Sequence, residues 1–162
     1  MRIALSTDHA GYERLKSLRH YLEQLGYECV YYGPAELNAD DDYPDYIKPA
    51  AEAVAGGECQ MGIIMGGSGQ GEAIVANRIQ GVRCCVYYGP IPPLGVVESD
   101  GQINKQGMDV VRLSREHNDA NMISIGARFV NDLAAQAAVK LWLDTPFSEE
   151  PRHKRRISKI DG

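Results

Sequence analysis

A run of apolar residues at 61–65 leads without a break into the glycine-rich sequence GGSGQG at 66–71, and a helical pattern begins with Glu72. Glycine permits backbone conformations that turn several N–H groups toward one point, and a helix start adds the positive end of its dipole. A strand, loop and helix in this order predict a seat for a phosphate or an oxyanion. The alternative is a tight turn without a ligand, which four glycines in six positions make the weaker interpretation.

The glycine-rich loop lacks the marks of two common nucleotide-binding motifs. No Lys-Ser or Lys-Thr pair follows it, so it is not a P-loop, and its spacing does not match the dinucleotide-binding fingerprint. A flavodoxin-like module that binds FMN or ATP stays an alternative, against which the missing lysine argues. The net charge of −5 gives no indication of nucleic-acid binding.

Short apolar runs alternate with helical periodicity along the whole chain. This alternation predicts one α/β domain with a five-stranded parallel sheet and helices on both faces. The expected strands are residues 3–6, 29–32, 61–65, 82–87 and 122–125, and the expected helices are residues 12–25, 43–54, 72–78, 108–116 and 129–143. We place this domain at residues 1–145 and a basic C-terminal helical extension at residues 146–162.

Ligands of open parallel sheets bind beyond the carboxyl ends of the strands. The segments that follow three of the predicted strands are 8–9, 66–72 and 126–128, and we expect them to meet at one edge. Glu72, in the first helical turn, is either a partner of the helix dipole or a candidate general base. Asp8 and His9 could equally cap the first helix.

Two further groups of polar residues are candidates for function. His117 lies at a helix end in the polar sequence SREHNDAN at 114–121, and it is either a helix cap or a catalyst. Residues 152–156 form a basic cluster, RHKRR, in a chain that is acidic overall. A local patch of this kind suits a small anionic ligand, although a solvated helix face is the usual role of such a run.

Neither a membrane span nor a secreted protein is indicated. No apolar stretch approaches the roughly 18 residues that a span requires, and the N-terminal strand, with polar residues 7–9 after it, is unlike a secretion signal. The four cysteines show no metal-binding spacing, and adjacent Cys84 and Cys85 would point to opposite faces of a strand. We interpret all four as reduced packing residues of a cytoplasmic protein.

Six motifs follow one another along the chain: DHAGY at 8–12, DDYP at 41–44, the glycine-rich loop with ANR at 76–78, REHNDAN at 115–121, IGAR at 125–128 and RH at 152–153. Together they resemble the type B ribose-5-phosphate isomerases, within the family that includes allose- and galactose-6-phosphate isomerases. The resemblance implies a Rossmann-like doubly wound fold, no metal or organic cofactor, and a homodimer with active sites at the subunit interface that sometimes pairs into tetramers. The implied reaction interconverts ribose 5-phosphate and ribulose 5-phosphate in the pentose phosphate pathway, by ring opening and proton transfer through an enediolate.

The resemblance also implies roles for particular residues. His117 matches the histidine that opens the sugar ring, with Asp8 as its helper. The backbone N–H groups of residues 67–71 and the Ser68 hydroxyl match the site that stabilises the enediolate. The implied substrate-binding residues are Gly67, Gly69 and Gly71 in that loop, His9, Arg128, Arg152 and Arg156 for the phosphate, Asn118 for sugar hydroxyls and Tyr43 for the pocket wall, with Arg152, His153 and Arg156 reaching the neighbouring subunit's site.

The chain departs from the family pattern at two places. Many members carry a cysteine base at the position of Gly66, whereas the branch without this cysteine uses a glutamate at the position of Glu72. The resemblance therefore assigns the base to Glu72 and no catalytic role to any cysteine. The connection at residues 88–111 is about seventeen residues longer than its family counterpart, well beyond a usual loop. Substrate choice is thus left open between ribose 5-phosphate, a tetrose phosphate, and allose or galactose 6-phosphate, with a non-catalytic phosphosugar-binding protein as a further alternative.

Overall fold

Helices and short strands alternate in the computed structural model, which describes residues 1–94 and 107–162. The strands are β1 (Arg2–Thr7), β2 (Glu28–Tyr31), β3 (Met61–Gly66), β4 (Cys84–Tyr87) and β5 (Met122–Gly126). The helices are α1 (Tyr12–Gln24), α2 (Tyr43–Ala55), α3 (Gln70–Ala76), α4 (Asp109–Asn118), α5 (Asp132–Asp144) and α6 (Pro151–Ile160), and a short 3-10 turn (His9–Gly11) precedes α1. Within the described ranges, no helix has the length and apolarity needed to cross a bilayer.

The strands form one parallel sheet in the order β2-β1-β3-β5-β4. β3 lies in the middle, where Met61 is opposite Ile3 of β1 and Gly62 is opposite Met122 of β5. Because the strands are parallel, their carboxyl ends lie at one edge of the sheet and their amino ends at the other. The predicted α/β class and the five-stranded parallel sheet are confirmed.

Successive strand residues point into two separate cores. Ile3, Leu5 and Ile63 pack with α1, α4 and α5 on one face, whereas Ala4 and Ile64 pack with α2 and α3 on the other. Full burial of a large aliphatic side chain contributes about 1.5–3 kcal/mol, so both faces hold the helices firmly. The predicted cover of helices on both faces is confirmed.

The adjacent cysteines of β4 follow the same alternation. Cys84 packs against the α2–α3 core and Cys85 against the core formed with α1, α4 and α5. All four cysteines are free thiols, and burial raises the pKa of each, that of Cys29 to about 11. Thiols with raised pKa values are poor nucleophiles at neutral pH, which agrees with the predicted packing role.

The start of α5 was predicted wrongly, at residue 129 instead of Asp132, because periodicity extends through a turn. The N–H groups of residues 129 and 130 donate to the carbonyl of Gly126 (2.9 and 3.0 Å) and close a turn after β5. The helix then begins behind Asn131, whose side-chain oxygen accepts from the N–H of Ala134 (2.9 Å). A side-chain cap of this kind fixes the first residue of a helix more strongly than apolar spacing does.

The long connection between β4 and α4 lies partly outside the described residues, at 95–106. Its two described ends are joined, because the N–H of Ile91 donates to the carbonyl of Gly107 (2.8 Å). Gly107 adopts a φ of +71°, which only glycine takes without strain. The two described ends of the connection are therefore held together near the end of β4.

Arg83, which directly precedes β4, anchors α6 at the amino edge of the sheet. Its guanidinium group binds the carboxylates of Asp161 (2.6 Å) and Asp119 (3.2 Å). It also donates to the carbonyl of Asn118 at the end of α4 (2.8 Å). The ends of α4 and α6 consequently share one charged anchor.

Candidate active site

The glycine-rich loop 66–71 lies at the carboxyl edge of the sheet, between β3 and α3. Three of its carbonyl groups are bound by β5 or the turn after it: Gly66 O accepts from Ala127 N–H (2.8 Å), Gly67 O from Arg128 N–H (3.2 Å) and Gly69 O from the Ser124 hydroxyl (2.7 Å). A trans peptide directs a carbonyl and the following N–H in opposite directions, so the next N–H groups point away from β5. The loop thus has the form of an anion seat.

The carboxyl group of Glu72 fills the space where any residue other than Gly66 would have its side chain. A Cβ atom at position 66 would lie 2.7 Å from Glu72 Oε2 and closer still to Oε1 and Cδ. Glu72 is 4% exposed, and burial raises the pKa of its carboxyl group, with a further contribution from the charge of Asp8. The raised pKa makes this carboxylate, beside the loop, a stronger base than an exposed glutamate, which is the direction that favours proton abstraction.

Two side chains close over the loop at its other glycines. The guanidinium group of Arg128 would lie 3.2–3.3 Å from a Cβ atom at Gly67, and the ring of Tyr43 would lie 2.8 Å from one at Gly71. Arg128 is exposed, and so is Ser68, which lies between Gly67 and Gly71 in the sequence. A cation, a phenol and a hydroxyl therefore surround the predicted anion seat.

Asp8 and His9 follow β1 at the same edge, beside a third residue to which the sequence analysis gave no role. The Asp8 carboxylate accepts from the N–H of Ala10 (2.9 Å) and so caps the 3-10 turn, one of the two predicted possibilities. His9 Nδ1 lies 2.6 Å from Asp41 Oδ1. The hydrogen bond that His9 donates to Asp41, followed by the charges of Asp8 and Asp41, raises the pKa of His9 against the opposing effects of burial and Arg128.

Asp8, His9 and Asp41 also form a grouping of the type that can hold a metal ion, with one ligand atom from each lying within 4.8 Å of the others. The 2.6 Å between His9 Nδ1 and Asp41 Oδ1 is the length of a charged hydrogen bond. Arg128 lies close enough to lower the pKa of His9, and a cation here would be repelled by it. We therefore interpret the three residues as a hydrogen-bonded group.

The remaining predicted site residues lie at the amino edge of the sheet. His117 stands one residue before the end of α4, and its ring contacts that of His153 on α6, with centroids 4.2 Å apart. His153 is 1% exposed, and burial, together with the charge of His117, lowers its pKa. Its Nδ1 lies 2.8 Å from the Ser148 hydroxyl. Asn118 is exposed, as are the two predicted phosphate ligands of α6, Arg152 and Arg156.

The sheet separates these residues from the glycine-rich loop. β5 runs from Met122, just after α4, to Gly126, where the loop contacts it, and a strand of this length spans about 13 Å. The structure thus brings Asp8, His9, Tyr43, the loop, Glu72 and Arg128 together, and it brings His117, Asn118, Arg152, His153 and Arg156 together elsewhere. Within one chain, Asp8 does not meet His117.

Tyr88 is a second residue at the carboxyl edge that the sequence analysis missed. It directly follows β4, and its hydroxyl accepts from the Gln70 side chain of the loop (2.7 Å). Its ring packs edge-on against Phe129 (5.5 Å) and would lie 2.9 Å from a Cβ atom at Gly126. Ligands of such sheets bind beyond the carboxyl ends of the strands, and β4 is one of these strands. This rule could therefore have identified Tyr88 from the sequence.

Comparisons with known proteins agree with this geometry. The sequence profile described as Ribose/Galactose Isomerase matches residues 3–90 and 106–160 and leaves 91–105, inside the long connection, unmatched. The chain is 36% identical to "Ribose-5-phosphate isomerase B" of Mycolicibacterium paratuberculosis over 157 residues, which cover 97% of this chain and 87% of that protein.

Solved structures of similar proteins share the fold over almost the full length. The ribose-5-phosphate isomerase B of Clostridium thermocellum superposes with a TM-score of 0.84 at 35% identity, covering 99% of this chain and 95% of that one. The Mycoplasma genitalium protein, solved with bound ribulose-5-phosphate, also gives 0.84, at 28% identity and with 99% and 93% covered. The chain therefore belongs to the ribose/galactose isomerase family.

Proposed function

We propose that the chain interconverts ribose 5-phosphate and ribulose 5-phosphate, an aldose–ketose isomerisation of the pentose phosphate pathway. Family membership and the printed names of its relatives support this reaction. So does the ribulose-5-phosphate bound to the Mycoplasma genitalium protein. The observation that carries the proposal is the buried Glu72 carboxyl group, held in the space beside Gly66 at the head of an anion seat.

Glu72 is the proposed base, as in the family branch without a cysteine at this position. It removes the proton from C2 of the open-chain aldose, and the C–H electrons form a C1–C2 double bond while negative charge moves to O1. Donors of residues 67–71 and the Ser68 hydroxyl stabilise this enediolate. Glu72 returns the proton to C1, and the hydroxyl proton on O2 passes to O1, which leaves the ketose.

The charged groups around the loop suit the phosphate of such a substrate. The guanidinium fork of Arg128, above Gly67, matches the geometry of phosphate oxygens. His9 stands at the same edge and carries a raised pKa, which favours the cationic form that an anion requires. Tyr43 forms the proposed pocket wall beside Gly71.

A second copy of the chain is proposed to complete the site, because ring opening by His117 cannot occur across the sheet. In a twofold homodimer the same contact forms twice, so the amino edge of each subunit can face the carboxyl edge of the other. His117, with Asn118, Arg152 and Arg156, would then act on substrate at the partner's loop, beside Asp8. His153 is buried under His117 and would position that ring. Pairing of dimers into tetramers is the further family expectation.

The extension at residues 146–162 is accordingly proposed to contribute to the dimer interface, since it carries the arginines of α6. A cytoplasmic location is proposed on the reaction class and on the four free cysteines. Allose 6-phosphate, galactose 6-phosphate and tetrose phosphates remain the alternative substrates. A panel of these aldose phosphates tests the choice, and a clear preference for a hexose phosphate would overturn ribose 5-phosphate.

Replacement of the base tests the reaction itself. Glu72→Gln keeps the shape of the side chain and removes its basicity, so kcat should fall by about 10²–10⁴-fold, the usual contribution of a general base, with little change in KM. Deuterium incorporation from D2O into the substrate C–H, followed by NMR, should fall in parallel. Glu36→Gln, at an exposed loop position, is the matched control and should keep wild-type rates.

Two outcomes would count against the proposal. A Glu72→Gln variant with most of its rate would show that another group is the base, and wild-type protein without deuterium exchange would indicate a phosphosugar-binding protein. The shared site has its own test. Glu72→Gln and His117→Ala subunits, each inactive alone, should recover activity when mixed and exchanged, because one of the two sites in a mixed dimer is then intact. No recovery after proven exchange would refute the shared site.

A further inference from the structure

The carboxylate of Asp41 is buried beside His9, outside the residues given a role above. Its side chain is 1% exposed. Oδ1 accepts from both the ring Nδ1 (2.6 Å) and the backbone N–H (3.3 Å) of His9. Oδ2 is buried and has no hydrogen-bond partner among residues 1–94 and 107–162. Burial of a carboxylate is energetically unfavourable unless the group is paired, so the contact with His9 is the interaction that offsets the burial of Asp41.

The contact determines which nitrogen of His9 faces a ligand. With Nδ1 donating to Asp41, the other ring nitrogen, Nε2, lies on the opposite side of the imidazole ring and remains for another partner. The His9 side chain is 32% exposed, so one part of the ring is accessible while Nδ1 is held. The same edge carries Arg128 and the glycine-rich loop, the groups around the anion seat.

The charges around His9 oppose one another. Asp41 at 2.6 Å and Asp8, with Oδ2 at 3.9 Å, favour the imidazolium form, and Arg128 disfavours it. Without Asp41, the neighbouring arginine and burial would act against a single carboxylate that already caps the 3-10 turn. Asp41 is therefore the group on which the charge of His9 chiefly depends.

We propose that Asp41 is a positioning residue that locks the His9 ring with Nδ1 toward the protein and holds it as an imidazolium, so that Nε2–H binds the phosphate of the substrate. The identity of the ligand rests on the function proposed above, whereas the effect of Asp41 on His9 does not. Asp41 itself touches no substrate and acts only through His9.

Asp41→Asn removes the charge and keeps the size of the side chain, so it tests the proposal directly. The pKa of His9, measured by NMR titration, should fall in the variant; with four histidines in the chain, His9→Gln assigns the signal. If the pKa falls by one unit, the imidazolium population above both pKa values falls about tenfold. The dissociation constant for inorganic phosphate should then rise by up to about tenfold at pH 8 and converge on the wild-type value near pH 5.

Asp40→Asn is the matched control, because it removes the same charge from an exposed position in the same loop. It should leave both the His9 pKa and phosphate binding unchanged. Asp41→Asn added to His9→Gln should cause no further loss of phosphate binding, since the effect passes through His9.

Three outcomes would overturn the proposal: an unchanged His9 pKa in Asp41→Asn, an equal shift in Asp40→Asn, or a loss of phosphate affinity that is the same at every pH. If Asp41→Asn does not fold, the wild-type titration decides, since a His9 pKa at or below the ordinary value of 6.5 refutes the role. Failure of the proposed isomerisation is a separate result, because the titration and phosphate binding are measured without turnover.

Discussion

Gly66→Ala tests the arrangement of Glu72 with the smallest possible change. The new methyl group would lie 2.7 Å from Glu72 Oε2 and nearer to Oε1 and Cδ. Non-bonded carbon contacts settle at about 3.5–4.0 Å, so the carboxyl group has to withdraw by well over about 1 Å. Gly66 ends a buried strand and is held in place by β5, because it pairs with Gly126 and its carbonyl accepts from the N–H of Ala127 (2.8 Å).

The displacement should affect catalysis far more than stability. A misplacement of about 1 Å can cost about 10²-fold in rate, so we expect kcat to fall by about that factor while KM for ribose 5-phosphate changes little. The group that moves is the end of a flexible side chain, and the loss of stability should stay below the roughly 1–3 kcal/mol of an overpacked core. The protein should therefore stay folded and lose its rate.

Isomerase kinetics and thermal unfolding of the same preparation check this expectation. Gly56→Ala, at a helix end with a φ of −78°, is the control: its methyl group would lie 3.2 Å from the Glu52 carbonyl oxygen, so Tm can shift slightly, but kcat should not change. Gly66→Cys combined with Glu72→Ala should recover part of the rate lost in Glu72→Ala, because the thiol then occupies the vacated space. A Gly66→Ala enzyme within threefold of the wild-type kcat would refute the assignment of the base.

Three further predictions concern charge, anchoring and substrate size. The folded-state pKa of Glu72 lies above its unfolded value, so at pH values between these two pKa values the folded protein binds more protons, and the free energy of unfolding falls as pH rises through that range. Glu72→Gln should therefore raise Tm at pH 7. In the wild-type enzyme, the fall of kcat on the acid side should occur at a pH above the ordinary glutamate range. Arg83→Met should lower the free energy of unfolding by about 1–2 kcal/mol in urea titrations, because the two carboxylates that Arg83 binds are partly exposed, whereas exposed Arg78→Met should not. Tyr88→Ala should raise kcat/KM for allose 6-phosphate relative to ribose 5-phosphate by about tenfold, and an equal fall for both would show that the ring only packs.

The fold was predictable because strands and helices here are long enough to show their periods. Runs such as 61–65 are buried on both faces of the sheet, so they read as continuous apolar segments. Element ends were less predictable. The start of α5 depends on a hydrogen bond from the Asn131 side chain and on a turn at Gly126, and neither changes the apolar spacing.

Only those residues of the candidate site that directly follow a strand could be predicted from the sequence. Asp8, His9 and the loop directly follow β1 and β3, so topology alone brings them together. Asp41 arrives from a loop about 30 positions along the chain, and its burial against His9 follows from the path of that loop. No local pattern distinguishes it from Asp40 and Asp42, which are exposed in the same acidic run.

The position of His117 follows from the same topology. It precedes β5, so it lies at the amino edge of the sheet, while the loop lies at the carboxyl edge. A parallel sheet keeps these edges a strand length apart in every such fold, whatever the side chains are. Sequence order therefore already separates the two halves of the proposed chemistry, which the proposed homodimer would bring together.

The pair of Gly66 and Glu72 joins the fold to the proposed chemistry. One volume at the head of the loop can hold either a side chain from position 66 or the carboxyl group from position 72, because the two would overlap. The glutamate reaches this volume from the first turn of α3, and it is buried there at the cost of a raised pKa. A raised pKa makes this carboxyl group a stronger base than an exposed glutamate, which suits the proposed proton abstraction. Glycine at position 66 is thus a condition for the base as well as for the loop.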